Sequence, residues 1–145
     1  MLRPLFLLFN LLLESPPVCE ETKSGLCVQS KRVRQGIDLH GCNMAGINLS
    51  DTDLSGANFS NADMHNSKLV SSTLIGVNFS NTSLVNSDLK VTDMHNITIL
   101  NANLAGADLA GVIGIDTQQL LHAYSLAGTR LPDGSVQPGN QPDKD

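Results

Sequence analysis

From residue 39 to residue 109 a large apolar side chain returns at every fifth position: Leu39, Met44, Leu49, Leu54, Phe59, Met64, Leu69, Leu74, Phe79, Leu84, Leu89, Met94, Ile99, Leu104 and Leu109. We call these positions centres. Two residues before each centre the side chain is small or β-branched and never charged, from Ile37 and Cys42 through to Ala102 and Ala107. The residue just before the centre is always polar or charged, mostly Asp or Asn. Two residues after it, Gly or Asn dominates. A period of five suits neither an α-helix, with 3.6 residues per turn, nor a lone strand, with a side-chain period of two. It suits a small unit that stacks on copies of itself.

Within one unit the centre and the position two before it point to the same side of a short extended segment. The Gly or Asn that follows tolerates a left-handed backbone and so can turn a corner. Each five residues therefore read as one inward-facing edge and a bend, coiling around a narrow core. The charges agree. Within 37–111 they are Asp38, Asp51, Asp53, Asp63, Lys68, Asp88, Lys90, Asp93 and Asp108, and none stands in either inward column. An unpaired buried charge would be costly.

The runs Ala57-Asn58-Phe59-Ser60-Asn61, Ala62-Asp63-Met64-His65-Asn66, Ala102-Asn103-Leu104-Ala105-Gly106 and Ala107-Asp108-Leu109-Ala110-Gly111 resemble the A-(D/N)-L-x-x unit of the pentapeptide repeat family. The resemblance covers about half the chain, with small residues replacing Ala at Thr52, Ser67, Ser72, Thr82, Ser87 and Thr92. It implies an all-β fold, a right-handed quadrilateral β-helix with four units to a coil and just under four coils. Residues twenty apart then stack. One core column becomes Leu39, Phe59, Phe79 and Ile99; another is Leu49, Leu69, Leu89 and Leu109. At about 4.8 Å per coil the helix is roughly 18 Å tall.

The flanks divide as follows. Residues 1–18, with one Arg, a nine-residue apolar run at 5–13 and a Pro-containing end, suit a signal peptide. The run is too short to span a bilayer. Residues 19–36 read as an N-terminal cap segment carrying Cys19 and Cys27, which are expected to pair if the chain is exported. Cys42 lies in an inward column and is expected to stay reduced and buried. Residues 112–131 read as a C-terminal cap. In it, 115–124 forms a short helix started by Asp116 with Gln119 three later. The five-residue spacing resumes at Leu126 and Leu131, and the stretch resembles the endings of many bacterial and plastid members of the family. Residues 132–145 read as a disordered tail.

Function is written far less clearly. The net charge of −5 argues against nucleic acid as a direct partner. Asp-Met-His-Asn occurs at 63–66 and 93–96, one and a half coils apart, so His65 and His95 face opposite sides and cannot share a metal. No nucleophile stands near a His, no phosphate loop is present, and paired carboxylates occur only as outward positions on different units, with Asp53 and Asp93 on one face two coils apart, so no catalytic, metal or cofactor site is expected. Sequons at Asn48, Asn58, Asn78, Asn81 and Asn96 follow from the repeat grammar itself. The reading is a non-enzymatic, exported structural or protein-interaction module. Its location is the periplasm, thylakoid lumen or extracellular space, or the cytoplasm if the leader is no signal peptide. It has an unidentified protein partner or a homodimer contact, and no membrane contact when mature. Outward apolar residues Val70 and Ile75 are candidates for the rim of that contact. The alternative is a DNA-mimicking topoisomerase-binding protein, similar to the quinolone-resistance branch of the family. Against it, the acids do not line one face.

Overall fold

The computed structural model describes residues 35–139. The proposed signal peptide, the Cys19–Cys27 pair and nearly all of the N-terminal cap segment lie outside the described residues. Parallel bridges join residues twenty apart without interruption, from Asp38↔Asn58 to Asp93↔Ile113. Four strand–corner units thus make one coil, and four coils begin at residues 37, 57, 77 and 97. We number the four sides by their centres: face 1 holds Leu39, Phe59, Phe79 and Ile99, and faces 2, 3 and 4 follow in chain order.

The corners show why the fifth-position grammar exists. Every residue two after a centre, from Gly41 to Gly111, has a positive φ of 55° to 70°. Gly reaches that region freely and Asn with little penalty. Asp51, Ser71 and Val91 are forced into it. Val91 is β-branched, and its φ of 58° is a genuine strain.

All fifteen centres are buried, and so are thirteen of the fifteen positions two before them; Ile47 and Thr52 are half-buried. Phe59 and Phe79 stack with ring centroids 5.6 Å apart and planes 13° from parallel. The hydroxyls that replace Ala in the inner column do not sit idle. Ser72 donates to the Leu49 carbonyl, Thr82 to Phe59, Ser87 to Met64 and Thr92 to Leu89, all at 2.7–2.9 Å. Ser67 donates to the Ser87 hydroxyl at 3.2 Å. Bonding to a carbonyl offsets the cost of burying a hydroxyl.

The fourth coil runs past Gly111, where the sequence pattern stops. Val112 is buried and Ile113 bridges to Asp93. Gly114 then stands where a centre is due, with φ of 81°, and a Cβ there would lie 2.5 Å from the His95 backbone nitrogen. The chain turns away instead. Helix α1, Thr117–Leu120, follows, with Asp116 and Gln119 exchanging side-chain and backbone bonds at 2.7 and 3.0 Å. It is shorter than the expected 115–124 because the ladder takes the chain back: Tyr124 donates to the Ala102 carbonyl at 2.8 Å. The bridges resume with a two-residue shift, Asn103↔Ser125 and Asp108↔Arg130.

The start of the proposed tail is also corrected. Residues 132–137 turn back as a hairpin: Arg130 pairs with Val136 antiparallel, Leu131 donates to Ser135, and Gln137 donates to Thr129. Pro132 and Gly134 mark the turn rather than loss of structure, because the last coil's edge offers partners to the returning strand. Residues 140–145 lie outside the described residues.

Candidate functional site

The outward polar column, one residue before each centre, would be the natural place for chemistry. The structure shows it turned to an internal task. Oδ1 of Asp38, Asn43, Asn48, Asp53, Asn58, Asp63, Asn78, Asp88, Asp93, Asn103 and Asp108 accepts the backbone N–H two residues on, at 2.9–3.2 Å. Each bond fastens the corner that follows it. Preference for Asp and Asn in this column is thus a demand of the turn.

The histidines join the same device. His40, His65 and His95 meet Asp38, Asp63 and Asp93 through Nδ1 at 2.9, 2.7 and 2.5 Å. Hydrogen bonds from the side chain and then the backbone N–H of His40, Ser55, His95 and Ser135 hold Asp38, Asp53, Asp93 and Asp133 below their ordinary value of 3.8. Burial pushes Asp63 upward, but the side chain and backbone of His65 together outweigh it and the net shift is downward. His40 stands at the corner of faces 1 and 2, His65 at that of faces 2 and 3, and His95 at that of faces 4 and 1. They belong to separate corners. Among the described residues no group of His, Cys, Asp or Glu is placed to hold a metal ion.

Charge is locally balanced on face 3. Its outward column reads Lys68, Asp88, Asp108, Arg130 through consecutive bridges. Lys90 meets Asp88 at 3.0 Å and Arg130 meets Asp108 at 3.8 Å. Face 4 carries Asp53, Thr73 and Asp93, with Gln35 bonded to Asp53.

Cys42 is buried in the inner column but is not the reduced thiol expected: it is disulfide-bonded.

The apolar rim residues do not form one patch. Val70 is half-buried at the corner of faces 3 and 4, and Ile75, 38% exposed, stands at the next corner. The larger exposed apolar side chains lie elsewhere: Val91, Leu100, Ile113, Leu121, Tyr124 and Val136, all in the last part of the coil and its C-terminal extension. Leu121 and Tyr124, at 71% and 75% exposure, flank the end of α1. Sequence reasoning singled out Val70 and Ile75 rather than this set. It placed Leu121 and Tyr124 on the apolar side of a helix over 115–124. The available signal was the density of large apolar residues after Gly111, where the repeat no longer needs them.

Comparison with known proteins agrees with this geometry. The pentapeptide repeats family matches in eight copies across residues 35–70 and 72–113, more than half the chain. The chain belongs to the pentapeptide repeat family, whose fold is the right-handed quadrilateral β-helix. A pentapeptide repeat protein from the Arabidopsis thaliana thylakoid lumen aligns over 79% of this chain and 92% of its own, at 20% identity and a TM-score of 0.55. HetL from the cyanobacterium Nostoc, involved in heterocyst differentiation regulation, is 31% identical over 71% of this chain, with a TM-score of 0.43. This chain spans 42% of its length. The plasmid-mediated fluoroquinolone resistance protein QnrB1 aligns over 73% of this chain and 89% of its own, at 13% identity and a TM-score of 0.35. Among curated proteins none matches the sequence. No helix among the described residues is long and apolar enough to cross a membrane.

Proposed function

We propose that this chain is an exported, non-enzymatic protein-interaction module that works through its C-terminal end. One observation carries the reading. Among the described residues, six of the seven large exposed apolar side chains lie from Val91 to Val136, while the outward polar column of the shaft is bonded to its own corners. Soluble domains seldom concentrate exposed apolar surface without a contact to make. Membership of a family built of structural and interaction modules supports the same reading. Helix α1 and the hairpin then have two tasks: they cover the open end of the core, as Leu120 and Leu131 do by their burial, and they present Leu121 and Tyr124 outward. Export rests on the leader and has support from the lumenal neighbour.

The DNA-mimicking alternative has less support, because the acids of face 3 are paired with Lys90 and Arg130 and the remaining acids are spread over the other faces. The test compares Leu121→Ser/Tyr124→Ser with Val70→Ser/Ile75→Ser, each as bait in extract from the native source. A defined partner lost only with the first pair supports the C-terminal end. Loss only with the second returns the contact to the corners of face 4. A mature N-terminus near residues 16–20 in an exported fraction supports the localisation, and an intact leader on cytoplasmic protein refutes it.

A further inference from the structure

Face 1 repeats one hydrogen-bond pattern. Asn58 donates to the Ile37 carbonyl and accepts from the Leu39 N–H, both at 2.8 Å. Asn78 does the same with Ala57 and Phe59 at 3.0 and 2.9 Å, and Thr98 with Val77 and Phe79 at 2.9 and 2.7 Å. A fifth layer should next engage the Ile97 carbonyl and the Ile99 N–H. It does not, because the chain leaves the ladder there as α1 and rejoins it only at the corner, where Asn101 donates to His122 at 2.8 Å. Among the described residues, neither the Ile97 carbonyl nor the Ile99 N–H has a hydrogen-bond partner, although both residues are buried. Main-chain N–H and C=O groups are obligatory hydrogen-bonding groups, so these two await water or a ligand.

The missing layer leaves a groove of about 210 Å³ lined by Ile97, Thr98, Ile99, Leu100, Gln119 and His122. Its floor offers one acceptor and one donor at the spacing that a single extended residue satisfies in each of the three layers below. No Asp, Glu, Lys or Arg lines it, so it suits a neutral main chain rather than an ionic ligand. Open edges also exist on faces 2 and 4, at Tyr124 and Leu126 and at Val112 and Gly114, but face 1 is the one that α1 walls. We propose that this slot receives an extended peptide segment of a partner protein, which adds one residue to the ladder. That residue donates its N–H to Ile97 and accepts from Ile99, as strand addition does at other sheet edges. Its side chain points outward like Thr98, and its neighbours point inward, favouring a small residue before it and an apolar one near it.

This deepens the interaction-module reading and can fail separately from it. The test uses the isotope-labelled full chain and a capped peptide, Ile-Gly-Val-Asn-Phe-Ser-Asn, the sequence of residues 75–81 two layers below the slot. The expected result is a saturable shift of the Ile99 amide resonance and at least tenfold slower exchange at saturation. The same peptide N-methylated at its first Asn should have no effect. Equal effects of both peptides, or none from either up to the solubility limit, overturn the proposal. So does an Ile99 amide already protected without peptide. If that protection is lost on dilution the occupant is a second copy, and if it is lost on deleting residues 140–145 it is the chain's own end. A partner that needs Leu121 and Tyr124 but leaves Ile99 exchanging freely would keep the module and remove the slot.

Discussion

Val91 is the one β-branched residue among the left-handed corners, and its replacement gives a sharp test of the corner geometry. Its φ of 58° lies in the left-handed region, which costs an L-residue roughly 1–2 kcal/mol, and a β-branched side chain fits it worst. The side chain is 62% exposed, so little buried apolar area is lost on removing it. Val91→Asn should therefore stabilise the fold by about 1 kcal/mol, the lower end of that range. Val91→Gly should gain less, because glycine's freer unfolded chain offsets about 0.5–1 kcal/mol. The converse change Asn81→Val, at a corner with φ of 56°, should destabilise by a similar amount. Denaturant titration of all three against the parent measures the differences. Val91→Asn at or below the parent's stability, with Asn81→Val neutral, would refute the assignment of left-handed corners.

Phe79→Ala should cost about 3–5 kcal/mol in the same titration, since the ring is fully buried and stacked on Phe59. Asn78→Ala, outward and one residue away, is not silent: it removes the bond that fastens Ser80, at 2.9 Å, and should cost about 1 kcal/mol. Acid should loosen the shaft. Asp38, Asp53, Asp63 and Asp93 are held below 3.8 in the folded state, so their contribution is full above that value and fades as pH falls through the lower folded values. Melting temperature followed from pH 5 to pH 2 should drop, and Asp63→Asn should flatten the drop in part. Cys42 should take up no alkylating label in denaturant before reduction and should label fully after it, read by mass spectrometry.

Most of the shaft was legible in the sequence, for a physical reason. A coil one side chain wide has no freedom to compensate, so each inward position is restricted locally and the restriction repeats every five residues. Leu39, Phe59, Phe79 and Ile99 could be stacked on paper because the four-unit period, taken from the family resemblance, fixes what lies above what. The outward column was legible as polar but not as purposeful. Nothing in Asp63 alone says that its Oδ1 holds the His65 N–H. The C-terminal end was harder to read. Gly114 hides a sixteenth unit, because the centre that would mark it is absent. The helix was overextended at Tyr124 because local propensity cannot report that the Ala102 carbonyl competes for that N–H. Pro132 and Gly134 look like a tail until the edge they return to is known. Cys42 looked like a small core residue because its column is filled by small side chains, and the five-residue pattern carries no mark of a crosslink.

The central structural claim is a twenty-residue register that carries every coil and skips face 1 once, above Ile99. Residue-resolved amide exchange of the native full chain tests it in one measurement. The account predicts slow exchange at Phe59, Phe79, Leu84, Leu104 and Leu109, whose N–H groups reach the layer above at 2.7–2.9 Å, and fast exchange at Ile99 between them. Ile99 as slow as Phe79, or a centre such as Leu84 exchanging as freely as a corner, would contradict it.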